Sequence, residues 1–166
     1  ARLCAFRALR HERHRILEHA AKLAGDTSPL VRREVALALR YVPFEKSRDL
    51  LLEIADGYDG KDRYYVEAFG IGCTDKEEKV YATLREKRSG KKFDPKYAGL
   101  VWRLHPVSAV NELKEWAMDK DRDDAFRRSM LFAISLIEAP QAATAMVEIA
   151  KNAGGETATL ASIFID

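Results

Sequence analysis

Residues 26–39 decide the fold, and they read DTSPLVRREVALAL. The apolar side chains of this stretch and of the residues just after it are Val31, Val35, Ala38, Leu39 and Val42. Their spacing of i, i+4, i+7, i+8 and i+11 forms one stripe of an α-helix. Ser28 and Pro29 are typical of a helix start, with Ser as the N-cap and Pro at the first helical position.

The same pattern returns at intervals of about 32 residues. A shift of 95 residues finds it at 126–137, and shifts of 31, 62 and 125 find copies at 66–73, 93–104 and 160–164. Each copy follows another amphipathic stretch, and residues 3–9 are interpreted as the second helix of a truncated pair. The preceding stretches are centred on 16–23, 50–55, 80–84, 110–117 and 142–149.

This alternation predicts an all-α fold of eleven helices without strands. A helix pair cannot bury both of its faces alone, whereas stacked pairs can. We therefore expect a right-handed α-α superhelix, a solenoid of about five helix pairs plus one leading helix, as a single repeat domain over residues 1–166. The apolar ends of the sequence predict a segment of a longer protein.

The composition excludes several classes of protein. The chain is 47% hydrophobic and 33% charged, and it has no apolar run near the roughly 20 residues that span a bilayer. The net charge of +2 argues against nucleic acid as the main partner, although residues 1–50 carry eleven Lys and Arg against six Asp and Glu. Cys4 and Cys73 both fall in apolar helical patterns, so we predict two buried free thiols.

Residues 26–39 resemble the HEAT repeat, including its phycobilisome-lyase-like relatives. In that family an Asp in the turn within each repeat and an Arg early in the second helix form a hydrogen-bonded ladder through the stack. The resemblance implies a ladder of Asp26, Arg32, Asp56, Arg63, Asp121 and Arg127. In the third and fifth repeats Asp94 and Thr157 take the Arg position, so the ladder is expected to be interrupted there.

A narrower resemblance covers residues 26–39 together with 58–72, YDGKDRYYVEAFGIG. These residues resemble the HEAT segment of large exported bacterial proteins that also contain a propeller resembling sugar dehydrogenases and a c-type haem domain. The chain has no Cys-x-x-Cys-His. This resemblance implies a periplasmic or exported docking segment without a cofactor of its own, with other domains of the same polypeptide as candidate partners.

The most suggestive string for metal chemistry is His11-Glu12-Arg13-His14. It lacks the spacing of the zinc-protease motif, which requires His at i and i+4. HEAT-like di-iron hydroxylases need His-Glu pairs in several repeats, and His11-Glu12 is the only such pair in the sequence. We therefore predict no metal and no cofactor.

The surface left after the core is assigned indicates binding rather than catalysis. On the HEAT resemblance, one row of side chains on the second helices faces the concave side. The residues predicted to line this row are Arg33, Arg40, Tyr64, Trp102, Arg128 and Phe132. Trp, Tyr and Arg are enriched in protein interfaces, so the sequence predicts a non-catalytic scaffold for a protein or peptide.

Two enzyme classes on this kind of fold remain open as alternatives. One is the metal-dependent hydroxylase, and the other is a nucleic-acid base-excision enzyme with a basic, aromatic-lined face. The small net charge weighs against the second class, because phosphate contacts dominate binding to nucleic acid.

Overall fold

The structure is a computed structural model that describes residues 1–10, 15–88 and 92–165. The described residues form eleven α-helices and no strand, which confirms the predicted all-α fold. The chain separates into two compact units, Ala1–Leu104 and His105–Asp166. The single repeat domain over residues 1–166 stays a prediction.

The described residues of the first unit form seven helices in two layers. They are α1 (Arg2–Leu9), α2 (Ile16–Ala21), α3 (Pro29–Ala38), α4 (Phe44–Asp56), α5 (Arg63–Gly72), α6 (Glu77–Arg88) and α7 (Pro95–Leu104). One layer is the row α1, α3, α5 and α7, in which each helix packs on the next, and α2, α4 and α6 form the other row. This is the arrangement that stacked helix pairs produce.

The second unit repeats the same motif with two pairs. Its helices are α8 (Val110–Met118), preceded by one 3₁₀ turn at Val107–Ala109, α9 (Asp124–Ser135), α10 (Pro140–Asn152) and α11 (Gly155–Ile163). α8 packs against α9, α10 packs against α11, and the two pairs contact each other through α8 with α10 and α9 with α11. The short connections make consecutive helices antiparallel neighbours.

The predicted apolar stripe forms the core of both units. Val35, Leu39, Phe69, Val101 and Ile134 are fully buried, and the sixth predicted core residue, Met130, is 2% exposed. The stripe was therefore identified correctly in four of the second helices. Burying such side chains is the dominant favourable term in folding, at about 25 cal/mol per Å².

The two cysteines differ, although burial was predicted for both. Cys73 is fully buried at the end of α5, where burial raises the pKa of its thiol. Cys4 is exposed, so the prediction for Cys4 is wrong. The physical reason is that α1 is the first helix of its row and packs on α3 from one side, so its outer surface stays open.

The structure also corrects the repeat register. The second helices begin at Pro29, Arg63, Pro95, Asp124 and Gly155, which gives successive spacings of 34, 32, 29 and 31 residues. The predicted shift of 31 residues for the copy at 66–73 is therefore three residues too short for α5. Three residues correspond to about 300° around a helix, which is about 60° short of a full turn. The predicted stripe therefore still faces nearly the same direction as the observed one.

Candidate binding face

A strip of charged and aromatic side chains runs across the row α1, α3, α5 and α7. We define the arginine–tyrosine strip as Arg7, Arg10, Arg33, Glu34, Arg63, Tyr64, Glu67 and Arg103. Contacts among these residues link α1 to α3, α3 to α5 and α5 to α7, in the order in which the helices pack. All eight residues lie in the first unit.

The strip begins with a nearly buried carboxylate. Glu34 on α3 is 7% exposed, and its two oxygens accept hydrogen bonds from Arg7 Nη2 at 2.6 Å and Arg10 Nη1 at 2.9 Å. The side chains of Arg7 and Arg10 are 56% and 38% exposed, so each guanidinium keeps donors available to solvent. A buried carboxylate thus anchors two exposed cations.

The centre of the strip is an arginine stacked on an exposed tyrosine. The guanidinium carbon of Arg33 lies 5.4 Å from the ring centre of Tyr64, which links α3 to α5. Tyr64 is 72% exposed, while its sequence neighbour Tyr65 is buried. A cation over a tyrosine face is attracted by the ring quadrupole, by about 0.5–1 kcal/mol at an exposed site.

The strip ends in an ion pair between α5 and α7. Arg103 Nε donates to Glu67 Oε2 at 2.7 Å, and Arg63 Nε lies 3.8 Å from the other oxygen of Glu67. The Arg103 side chain crosses the small surface of Gly70, where a Cβ would overlap the guanidinium group. The glycine therefore permits this crossing. Glu67 was not predicted from the sequence, because the shift of 31 residues for this copy paired Arg33 with Tyr64 instead.

The other predicted face residues occupy different settings. Arg40 lies in the turn after α3 with its guanidinium 5.4 Å from the ring of Tyr41, which is 84% exposed. Trp102 on α7 is partly buried and its indole nitrogen is fully buried, so this side chain is also part of the packing. Tyr41 was not predicted as a face residue, because it lies past the end of α3 and outside its helical stripe.

Arg128 and Phe132 belong to α9 of the second unit. Arg128 is exposed and lies 3.4 Å from Glu156, and Phe132 is 46% exposed. The single concave surface that was predicted to include both these residues and Tyr64 stays a prediction.

Arg32 contacts the turn before α3 and the turn after α4 through main-chain oxygens. Its guanidinium donates to the main-chain oxygen of Asp26, to that of Gly57 at 2.8 Å, and to the hydroxyl of Tyr65 at 2.9 Å. The Tyr65 hydroxyl in turn donates to the carbonyl of Ile54 at 2.6 Å. All three kinds of N–H on this arginine are thus used within the stack.

The aspartates predicted for the ladder have other partners. The carboxylate of Asp26 accepts from Arg2 and from the amide of Ser28, and these hydrogen bonds hold the pKa of Asp26 below its usual value. Asp56 pairs with Lys87 at 3.0 Å, and Asp121 is exposed. The Asp26 side chain therefore shapes the turn by accepting from the main-chain amide two residues later, as aspartate side chains do in Asx turns.

The ladder assignment fails at Arg63 and changes at Arg127. The side chain of Arg63 is 80% exposed and points to Glu67, because Arg63 is the first residue of α5 whereas Arg32 is the fourth residue of α3. In the corrected register Val66 takes the ladder position of α5. Arg127 is the fourth residue of α9, in the same position as Arg32, but it donates to Asp124 rather than to the turn at Asp121.

A buried lysine was missed altogether. Just before it in the chain, the Thr74 hydroxyl donates to the carbonyl of Ile71. Lys76 is 6% exposed, and its ammonium donates to three main-chain oxygens past α3, those of Leu39, Arg40 and Val42, at 3.0, 2.8 and 3.1 Å. Burial lowers the pKa of Lys76. A cation at this place is also favoured by the negative end of the α3 dipole.

The metal candidate cannot be placed, because residues 11–14 lie outside the described residues. Within residues 1–10, 15–88 and 92–165, no three His, Cys, Asp or Glu side chains are grouped as a metal site would require. In the same part of the chain, no helix has both the length and the apolar character of a membrane span.

Comparison with known proteins adds no identification. No protein-family model matches the chain, and no curated protein matches it at a significant level.

Proposed function

We propose that this protein is a non-catalytic, HEAT-like repeat scaffold that binds a protein or peptide segment on the arginine–tyrosine strip. The observation that carries the proposal is Tyr64, a tyrosine 72% exposed in the middle of a well-packed helix row and stacked under Arg33. Leaving an aromatic ring in water forgoes about 25 cal/mol per Å² that burial would provide. A partner that covers the ring recovers this free energy.

The charge of the strip indicates an acidic partner. The strip carries five arginines, Arg7, Arg10, Arg33, Arg63 and Arg103, against the two carboxylates Glu34 and Glu67. Both carboxylates already accept from arginines, so the remaining guanidinium donors are directed to solvent or to a ligand. Guanidinium groups bind carboxylates with two parallel hydrogen bonds, which favours Asp and Glu side chains in the partner.

The spacing of the helices limits the length of the bound segment. Neighbouring packed helices lie about 8–10 Å apart, so the four helices of the row extend over roughly 27 Å. An extended peptide advances about 3.3 Å per residue, and about eight residues would cover the strip. We therefore propose a segment of about eight residues with acidic and aromatic or aliphatic side chains.

A selection from random decapeptides displayed on phage tests this proposal. Peptides retained by the unsubstituted protein are expected to be enriched in Asp, Glu and aromatic residues. The affinity of a selected peptide, measured by fluorescence anisotropy, should fall about tenfold in Tyr64→Ala and in Arg33→Ala, in keeping with residues at the centre of an interface. Raising the salt concentration should weaken binding, because the charged pairs are exposed.

The matched control is Arg85→Ala, which removes an exposed arginine from α6 in the opposite layer. This variant should bind the selected peptides as the unsubstituted protein does. Equal binding by Tyr64→Ala and the unsubstituted protein would contradict the proposal, and so would enrichment of peptides without acidic residues.

Two further measurements separate the scaffold from the enzyme alternatives. Stoichiometric iron or zinc in the purified protein, lost on His11→Ala or His14→Ala, would favour the hydroxylase. Binding of DNA that weakens steeply with salt would favour the base-excision enzyme, since phosphate contacts release counterions.

A further inference from the structure

We infer a second binding site, for one small oxyanion, in a pocket of the second unit. The pocket has a volume of about 300 Å³ and is lined by Met118, Lys120, Arg127, Asn152, Ala153 and Gly154. Its lining includes two cationic side chains and, within the described residues, no carboxylate. All six residues belong to the second unit, so the site is separate from the arginine–tyrosine strip.

The decisive observation is a buried donor without an acceptor. The Nε atom of Arg127 is inaccessible to solvent and has no hydrogen-bond partner, while Nη2 of the same side chain donates to Asp124. An N–H group buried without an acceptor costs about 1–3 kcal/mol. The Arg127 side chain as a whole is 21% exposed, so a rotation of its guanidinium group would bring Nε to the pocket, where an entering acceptor gains a strong hydrogen bond. Lys120 is exposed at the same pocket and adds a second positive charge.

The equivalent arginine of the first unit shows why the pocket is open. Arg32 and Arg127 are both the fourth residue of their helices, and the Nε of Arg32 donates to the hydroxyl of Tyr65. Tyr65 is the third residue of α5, and the third residue of α11 is Thr157, which is also buried but much smaller. The hydroxyl of Thr157 lies on a much shorter side chain than that of Tyr65, and Arg127 Nε has no hydrogen-bond partner in the second unit.

The second acceptor of Arg32 also has a counterpart in a different setting. The main-chain oxygen of Gly57, the residue after α4, accepts from Arg32. The corresponding residue after α10 is Ala153, and Ala153 lines the pocket instead of capping Arg127. Gly154, which precedes α11, has no side chain to accept from the first amides of that helix. The first amides of α11 form the positive end of the helix dipole, which adds to the preference for an anion beside Gly154.

The chemistry defines the ligand as a carboxylate or a phosphate group. Either group offers an oxygen to Arg127 Nε and a second oxygen to Lys120. The pair Arg127–Asp124 lowers the net charge, so we expect weak binding that a larger ligand strengthens through contacts outside the pocket.

Two-dimensional ¹⁵N–¹H NMR of the whole chain tests the site with sodium phosphate and sodium acetate as probes. Sodium chloride at the same ionic strength serves as the reference. Saturable shifts in the amides of residues 118–120 and 152–155 are expected with a probe and not with chloride. A tighter response to phosphate would identify a phosphoryl group as the ligand, and an equal or tighter response to acetate would identify a carboxylate.

The variants Lys120→Gln and Arg127→Gln should each weaken this response about tenfold, as expected for the loss of a charge-assisted hydrogen bond. Lys120 is exposed, so its variant keeps the fold even if Arg127→Gln does not. The control Lys151→Gln removes an exposed lysine of α10 outside the pocket and should respond as the unsubstituted chain does. Shifts that do not saturate, that chloride reproduces, or that survive in Lys120→Gln would overturn the inference.

Discussion

Replacing Gly72 with alanine should force α3 and α5 apart. A Cβ at Gly72 would lie 3.0 Å from the carbonyl carbon of Ala36 and closer still to the carbonyl oxygen. Nonbonded carbon atoms prefer about 3.5–4.0 Å, so relief requires α3 to move by roughly 1 Å. The obstacle is main chain, which cannot rotate away as a side chain can.

The expected magnitude follows from two opposing terms. Alanine favours a helix over glycine by about 1 kcal/mol, and Gly72 has no positive φ that would forbid the exchange. Overpacking in a closely packed interface costs typically about 1–3 kcal/mol, and main-chain overlap places this case at the upper end. We expect Gly72→Ala to lower the free energy of unfolding by about 2 kcal/mol.

Gly70→Ala is the matched control two residues earlier in the same helix. There the added Cβ would lie 2.6 Å from Nε and Nη1 of Arg103, the flexible end of a side chain. Arg103 can move away, so the free energy of unfolding should change by less than about 1 kcal/mol. Urea denaturation followed by circular dichroism measures both variants. If Gly72→Ala is as stable as Gly70→Ala, the close approach of α3 and α5 does not limit stability and the reasoning is wrong.

Two further predictions concern single side chains. In native protein a thiol reagent should modify Cys4 rapidly and Cys73 only after unfolding, so the count of reactive thiols should rise from one to two in denaturant. Rapid modification of both in native buffer would contradict the buried position of Cys73. Tyr65→Phe should lower the free energy of unfolding by about 3 kcal/mol, because Arg32 and a main-chain carbonyl each lose a hydrogen bond to the hydroxyl. Tyr64→Phe, at the exposed neighbour, should change it by less than about 0.5 kcal/mol, and equal effects would refute the assignment of these partners.

The fold was predictable because it depends on the direction of apolar side chains, which the helical period reports directly. Val35 and Leu39 marked the buried stripe of α3, and Phe69 marked that of α5 even though the assumed shift was three residues too short. A stripe about 100° wide tolerates such an error, since neighbouring apolar positions replace one another in it.

The contacts of the arginine–tyrosine strip were less predictable, because they depend on the position of each side chain along the helix as well as on its direction. The same three-residue error assigned a ladder role to Arg63 and hid Glu67, the carboxylate that joins α5 to α7. Lys76 escaped notice for a different reason. Its partners are carbonyls more than thirty residues away, and a bond from a side chain to a distant main chain leaves no local pattern in the sequence.

The buried ammonium of Lys76 also determines how the first unit can open. The lysine precedes α6, yet it holds the carbonyls past the end of α3, so that end cannot fray unless the start of α6 is displaced. Repeat proteins often open repeat by repeat from their ends. Here the last turn of α3 and the first turn of α6 form one cooperative unit, and their amide hydrogens should exchange with solvent through a shared opening.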